Sequence, residues 1–387
     1  MSPQHSMGAK GEPTLTISKM NNIRTYLTRI FMERDDVVDG LLTALVARVH
    51  ILLIGPPGSA KSAITVALSG LIDGFDYFQW LLTKFSTPEE IFGPYDLSKL
   101  KLGKYERITN GKLPVAHMGY LDEVFKANSS MLNALLTLIN ERVFYNGTRQ
   151  DLSPLMTLVG TSNEYPMEEE LQAVFDRFML RFEPGYIKED ANFATMLLQA
   201  SFPKPAPITL IELEALQQAA DQISVDAAMV DALIALKADL AQEGIYLSDR
   251  RWVQVAKRLL PARAVLAGRD HIILEEDAEI LQHALWEDPS QRATVAGIVR
   301  KRLDPIAGQV VELVEDARDI ANNAMKASDE QAVAVGTEAI KKLKAIRNEI
   351  QAYITTGGSP AKIDKIKAND AKVEELLKGV TKKCLGI

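Results

Sequence analysis

The sharpest chemical signal in the chain is an eight-residue run, Gly55-Pro56-Pro57-Gly58-Ser59-Ala60-Lys61-Ser62. Glycines let successive backbone N–H groups curl around an anion, and a helix that starts where the loop ends turns its positive end on the same anion. A lysine at the close of such a loop reaches the β- and γ-phosphates of a nucleotide, and the hydroxyl after it is a Mg2+ ligand. The run departs from G-x-x-x-x-G-K-[ST] at Ala60, where the pattern has glycine. A methyl group is expected to be tolerated there only if that residue keeps φ negative.

Two further groups match what a phosphate-cleaving site needs. Asp122 and Glu123 follow Tyr120-Leu121 at the end of an apolar run. In a phosphate-loop fold the first carboxylate is delivered toward Mg2+, and the second is placed to deprotonate the attacking water. Asn163 follows the run Leu155–Thr161. A polar side chain just past the carboxyl end of a central strand sits at the ligand crevice of an open parallel sheet, within reach of a γ-phosphate or its water.

These residues need a scaffold of alternating elements. Strands are expected at His50–Ile54, Phe75–Leu82, His117–Asp122, Leu155–Thr161 and Met179–Phe182, with helices such as Ser62–Ile72 and Ser129–Arg142 between them. That alternation implies βαβ units and a parallel sheet. After the proline-rich segment Ser201–Ile208 the strand signal ends. Ile211–Gln222, Asp226–Gln242, Asp249–Ala267 and Glu275–Leu285 read as amphipathic helices. From Pro289 the chain is Ala-, Lys- and Glu-rich. One helix is expected over Gln291–Lys326 with a weak point at Pro305, a second over Asp329–Thr355 and a third over Asp364–Lys378. Few large apolar residues are available there, which favours a helical hairpin or stalk.

The fold class expected is therefore α/β, a five-stranded parallel sheet with flanking helices, followed by an all-α lid and a C-terminal helical extension. The domain boundaries read as 1–21 for a disordered leader, 22–200, 201–288 and 289–387. Composition is that of an ordinary globular chain, with 47% hydrophobic and 25% charged residues and a net charge of −7. Cys384 alone cannot form an internal disulfide. It is expected in a frayed tail, and its solitude fits a reducing, cytoplasmic setting. No run is long enough and apolar enough to span a bilayer, and no zinc-ligand spacing is present.

The order of motifs GPPGSAKS, YLDE, TSNE and FDRF resembles the AAA+ ATPases, and within them the MoxR group, which also carries alanine before the loop lysine. Leu81–Leu100, Ala134–Gly147 and Tyr246–Trp252 resemble the RavA branch. The resemblance covers Asn22 to Asp288. It implies a hexameric ring with ATP and Mg2+ at subunit interfaces, hydrolysis to ADP and phosphate, a protein client, and a von Willebrand factor A-domain partner. It assigns Gly55, Pro56, Pro57, Gly58, Ser59, Ala60, Lys61 and Ser62 as Walker A, Asp122 and Glu123 as Walker B, and Asn163 as sensor 1. It assigns Arg177 as an arginine finger entering the neighbour's site. Arg250, in preference to Arg251, matches sensor 2 on the lid, a position expected to touch the γ-phosphate.

Lys104–Lys112 reads as a basic hairpin with an Asn-Gly turn, and Phe144–Arg149 reads as a second hairpin. The resemblance gives such hairpins to substrate or partner engagement. The rival reading is a nucleic-acid-dependent motor with these hairpins in its channel, and the acidic balance counts against it. A non-hydrolysing nucleotide-gated scaffold would need a defect in Lys61 or in the acidic pair, and neither is defective.

Overall fold

The computed structural model describes residues 12–166, 168–198, 201–326, 332–355 and 360–385. The chain divides into two compact units. One comprises residues up to Val230 with Leu247–Ile273 and His283–Pro289; the other comprises Asp231–Tyr246, Leu274–Gln282 and Ser290 onward.

Nine strands are present among the described residues: β1 His50–Ile54, β2 Ile72–Asp73, β3 Tyr77–Leu81, β4 Met118–Asp122, β5 Val143–Asn146, β6 Arg149–Leu152, β7 Thr157–Ser162, β8 Phe178–Phe182 and β9 Ile208–Thr209. Five of them form one parallel sheet in the order β3-β4-β7-β1-β8. Every residue of β1, β7 and β8 is buried. Continuous apolar runs such as Ile51-Leu52-Leu53-Ile54 are what a parallel strand covered on both faces requires. Register brings the strand ends level, pairing Ile54 with Ser162 and Leu121 with Gly160. Gly55, Asn163 and the Asp122-Glu123 pair thus leave the sheet at the same carboxyl edge.

The helices of this unit begin with α1 Glu12–Ile30 and α2 Asp35–Ala47. Residues 12–21, expected to belong to an unstructured leader, are helical, and Met20, Ile23 and Leu27 are buried. Their spacing of three and four is the helical apolar stripe. Residues 1–11 lie outside the described residues. The phosphate-loop helix is α3 Lys61–Ser69, and Ile72, expected to close it, starts β2 instead. Between β3 and β4 lie α4 Pro88–Phe92 and α5 Leu97–Leu100.

The basic segment Lys104–Lys112 is not a hairpin. It folds back on α4: Arg107 bridges to Tyr95, the Arg107 guanidinium pairs with Glu89 at 3.1 Å, and the Lys112 ammonium donates to the Glu90 carbonyl at 2.9 Å. Two of its cations therefore have partners within the chain. The second hairpin forms as expected, β5 pairing antiparallel with β6 around Gly147.

α6 Ser129–Glu141 follows β4, α7 Glu169–Arg177 precedes β8, and α8 Asp190–Leu198 follows it. α9 Leu210–Gln222 carries a full capping box between Thr209 and Glu212, and β9 pairs with β2, a small parallel contact that no sequence pattern predicted. α10 is Ala227–Gln242. α11 Asp249–Gln254 passes through a π-helical stretch, Val255–Leu259, into α12 Leu260–Leu266.

In the second unit the helix expected over Glu275–Leu285 is a short α13, Leu274–Asp277, continued as a 3-10 stretch. Pro305 divides the expected long helix into α14 Arg292–Leu303 and α15 Pro305–Met325. α16 Ala332–Thr355 and α17 Pro360–Leu385 complete a three-helix bundle with α15, where a helical hairpin or stalk was expected. Its seam is Val310, Val314, Ala317, Ala321 and Ala324 against Leu343 and Ile350 and against Ile366, Val373 and Val380. Alternating steps of four and three, and steps of seven, are heptad spacing, so small residues suffice for a narrow core. Cys384 is buried in this seam rather than frayed, and a Cβ on Gly336 would lie 2.2 Å from its Cβ. No helix among the described residues is long and apolar enough to cross a membrane.

Candidate nucleotide site

The loop after β1 is built around left-handed backbone. Gly58 has φ +79° and Ala60 has φ +68°. Ala60 therefore does not keep φ negative, and its Cβ bears a strain of about 1–2 kcal/mol that glycine would avoid. Among the described residues, the N–H groups of Gly58, Ser59 and Ala60 donate to no protein acceptor. The Lys61 residue is only 8% exposed, yet its ammonium meets no carboxylate. It donates to the carbonyls of Gly55 at 2.5 Å and Pro56 at 3.0 Å, and to Asn163 Oδ1 at 3.2 Å. Burial lowers the Lys61 pKa, against an opposing pull from Asp122 and then Glu123. Free N–H donors beside a buried ammonium held by neutral acceptors form a receptor for an anion.

The three motifs meet here. Asn163 Nδ2 donates to Glu123 Oε1 at 2.5 Å, so a hydrogen-bonded chain runs Lys61–Asn163–Glu123. The other Glu123 oxygen lies 3.3 Å from the Lys126 ammonium. Asp122 Oδ1 accepts from the Thr161 hydroxyl on β7 and from the Glu123 N–H at 3.1 Å. Ser62 is the second residue of α3, directly after Lys61. Mg2+ takes one or two carboxylate or hydroxyl donors and completes its shell with phosphate oxygens and water. Asp122 and Ser62 are donors of that kind, and the residues fit a magnesium nucleotide.

Arg177 and Arg250 lie elsewhere. β8 starts level with β1, Phe178 paired with His50, so Arg177 is at the opposite edge of the sheet, roughly 20 Å of strand from Gly55. There Asp176 is shared by three arginines: Arg177 at 3.0 Å, Arg250 at 2.8 Å and Arg251 at 2.9 Å. Burial would raise the Asp176 carboxyl, but Arg251 and then Arg250 outweigh it and hold it below its ordinary value. Arg251 is buried and also donates to the carbonyls of Met179 and Ala284, which fixes it in place. Arg250 is the more exposed of the two, 38% against 1% for the side chains, and it does not reach the Lys61 loop of its own chain.

Sequence reasoning missed Thr161, Asp176 and a buried arginine, Arg34, bonded to the Ser59 carbonyl at 3.3 Å. Asp176 could have been found as the only carboxylate beside the arginine in Phe175-Asp176-Arg177-Phe178. Arg34, in the charged run Glu33-Arg34-Asp35-Asp36, reads as a solvated turn, and only the fold buries it.

A family model described as the MoxR domain in the MoxR-vWA-beta-propeller ternary systems matches residues 18–218. An AAA lid domain model matches residues 228–299. Two uncharacterised proteins of Methanocaldococcus jannaschii are similar to the chain. One is 35% identical over 95% of this chain and 97% of its own length; the other is 37% identical over 79% and 80%. Chaperone MoxR1 of Mycobacterium tuberculosis is 26% identical over 66% of this chain and 72% of its own. The crystal structure of a candidate ATPase from Cytophaga hutchinsonii superposes with a TM-score of 0.61, covering 76% of this chain and 97% of that one; at 19% identity the likeness speaks to fold.

Proposed function

Since the chain belongs to the MoxR family of AAA+ ATPases, we propose that it hydrolyses ATP to ADP and phosphate at the Lys61 loop and couples turnover to remodelling of a partner protein. The observation that carries this reading is the Lys61–Asn163–Glu123 chain. It joins the group that would bind the γ-phosphate to the group that would activate water, through one side chain. Lys61 would transfer its ammonium from the loop carbonyls to the phosphates. Asn163, relieved of Lys61, would hold the attacking water or the γ-phosphate. Glu123 would take the proton of that water. Ser62 and Asp122 would hold Mg2+, which would neutralise negative charge developing on the phosphates.

In this reading Arg177, at the end of α7, and Arg250, on α11, serve an adjoining copy of the chain, since both meet Asp176 on the side away from their own loop. A guanidinium supplied in trans to a γ-phosphate stabilises the transition-state charge and makes turnover depend on assembly. A hexameric ring is the assembly the reading takes. The matching family model is named for systems that also contain a vWA component, which supports a von Willebrand factor A-domain partner. The three stretches named above keep the RavA-like branch as the reading within the family.

The experiment is turnover of Mg-ATP as a function of protein concentration, with Lys61→Ala as control. Specific activity rising with concentration and absent in the variant supports the reading; an activity untouched by Lys61→Ala removes it.

A further inference from the structure

Arg34 sits in the four-residue elbow between α1 and α2, and it is 6% exposed. All three of its donations go to backbone carbonyls: Nε to Ser59 at 3.3 Å, Nη1 to Glu33 at 2.7 Å, and Nη2 to Gly185. Two further contacts tie the segment after β8 to the same loop. The Tyr186 hydroxyl donates to the Pro57 carbonyl at 3.3 Å, and a Cβ on Gly55 would lie 2.4 Å from the Pro184 carbonyl oxygen. Glu33 anchors this segment from the other side. One oxygen accepts from the Lys188 N–H, and the other accepts from the Glu189 N–H and from Asn192; in that order these bonds hold its carboxyl below the ordinary range.

The Ser59 carbonyl belongs to the peptide whose N–H is Ala60's. A planar trans peptide points the two in opposite directions, so fixing one fixes the other. Ala60 then enters helix α3 at φ +68°. That backbone is unfavourable for alanine and persists where its surroundings over-determine it.

We infer that Arg34 is a positioning residue for nucleotide binding. Its guanidinium fork clamps the Ser59–Ala60 peptide to the Gly185 carbonyl, aims the Ala60 N–H for a phosphate oxygen, and holds the left-handed alanine in place of the usual glycine. The inference rests on the nucleotide reading above. The fork, rather than the charge alone, does this, because two carbonyls on different segments must be reached at once. Arg34 touches no reacting atom, so its loss acts on affinity rather than on the chemical step.

The test measures Mg-ADP and Mg-ATP affinity and saturated turnover in the full chain carrying Arg34→Lys or Arg34→Gln. Both variants are expected to bind about tenfold more weakly or worse, the scale of a lost charge-assisted hydrogen bond. Turnover at saturation should stay within about twofold of the parent. Parent-like affinity in folded Arg34→Lys, or lost turnover with affinity intact, overturns the assignment. Should the variants fail to fold, hydrogen exchange on the unaltered chain decides it. Mg-ADP is expected to slow the Ser59–Lys61 and Gly185–Tyr186 amides together, and protection of the loop alone contradicts the clamp. If the unaltered chain binds no adenine nucleotide, the nucleotide reading itself has failed, a result separate from all of these.

Discussion

Asn163 holds Glu123: its side-chain amide lies 2.5 Å from Glu123 Oε1, while its carbonyl oxygen receives the Lys61 ammonium at 3.2 Å. One side chain thus engages both the lysine and the residue proposed as the base. In the proposed reading, a phosphate bound to Lys61 would break the Lys61–Asn163 link and leave Asn163 free to release Glu123.

Asn163→Ala removes this control. Turnover is expected to fall on the order of 10²-fold, the usual cost of removing one oriented donor. ATP affinity should change little, because Lys61 and the loop N–H groups remain. Parallel measurement of Kd and kcat checks it; a loss confined to Kd would contradict the role given to Asn163.

The position of Arg177 beside Asp176, at the sheet edge away from Lys61, predicts complementation between subunits. Arg177→Ala is expected to cost about 10³-fold or more in turnover, as removal of an arginine finger does. Mixing Arg177→Ala protein with Lys61→Ala protein should recover turnover that neither has alone, since a mixed interface joins an intact loop to an intact arginine. A mixture as inactive as its components contradicts action in trans.

Ala60→Gly relieves strain but loosens the unfolded chain. The left-handed backbone costs alanine about 1–2 kcal/mol. The added unfolded-state entropy of glycine returns about 0.4–1 kcal/mol. The first effect wins, so the variant is expected to be more stable by about 0.5–1 kcal/mol. Chemical denaturation reads this directly, and a less stable variant would show that the alanine methyl has packing that outweighs its backbone.

His50 predicts a pH dependence. Its Nδ1 accepts the Leu158 N–H at 2.9 Å and its Nε2 faces the Ile139 carbonyl at 2.9 Å, so it fits only as the neutral ring. Burial first, and then the Arg142 charge, holds its pKa well below the ordinary value in the folded chain. The unfolded chain takes up a proton near pH 6.5 while the folded chain does not. The contribution of His50 is therefore complete above that pH and is lost as pH falls below it, by up to about 1.4 kcal/mol per unit. Urea midpoints between pH 7.5 and 5 should fall more steeply for the parent than for His50→Gln; equal slopes contradict the assignment.

The carboxyl edge of the sheet was legible because its chemistry is local. Strand, turn and helix signals surround Gly55–Ser62, and Asp122, Glu123 and Asn163 each follow an apolar run. The Arg250 contact was not legible, since its partner Asp176 is 74 residues away and is set by tertiary packing. The basic segment at Lys104–Lys112 carries a strong turn dipeptide, yet Arg107 and Lys112 find acceptors on α4, and those contacts override the hairpin. The C-terminal bundle looked thin because alanine was counted as a weak core residue; heptad spacing lets Ala317, Ala321 and Ala324 form the seam.

Glu123→Gln tests the central claim most directly, with Mg-ATP binding and phosphate release measured on the same protein. The account predicts retained ATP binding, because Lys61 and its loop are untouched, and phosphate release reduced about 10²- to 10⁴-fold. Release at the parent rate would contradict it, because some group other than Glu123 would then be activating the water.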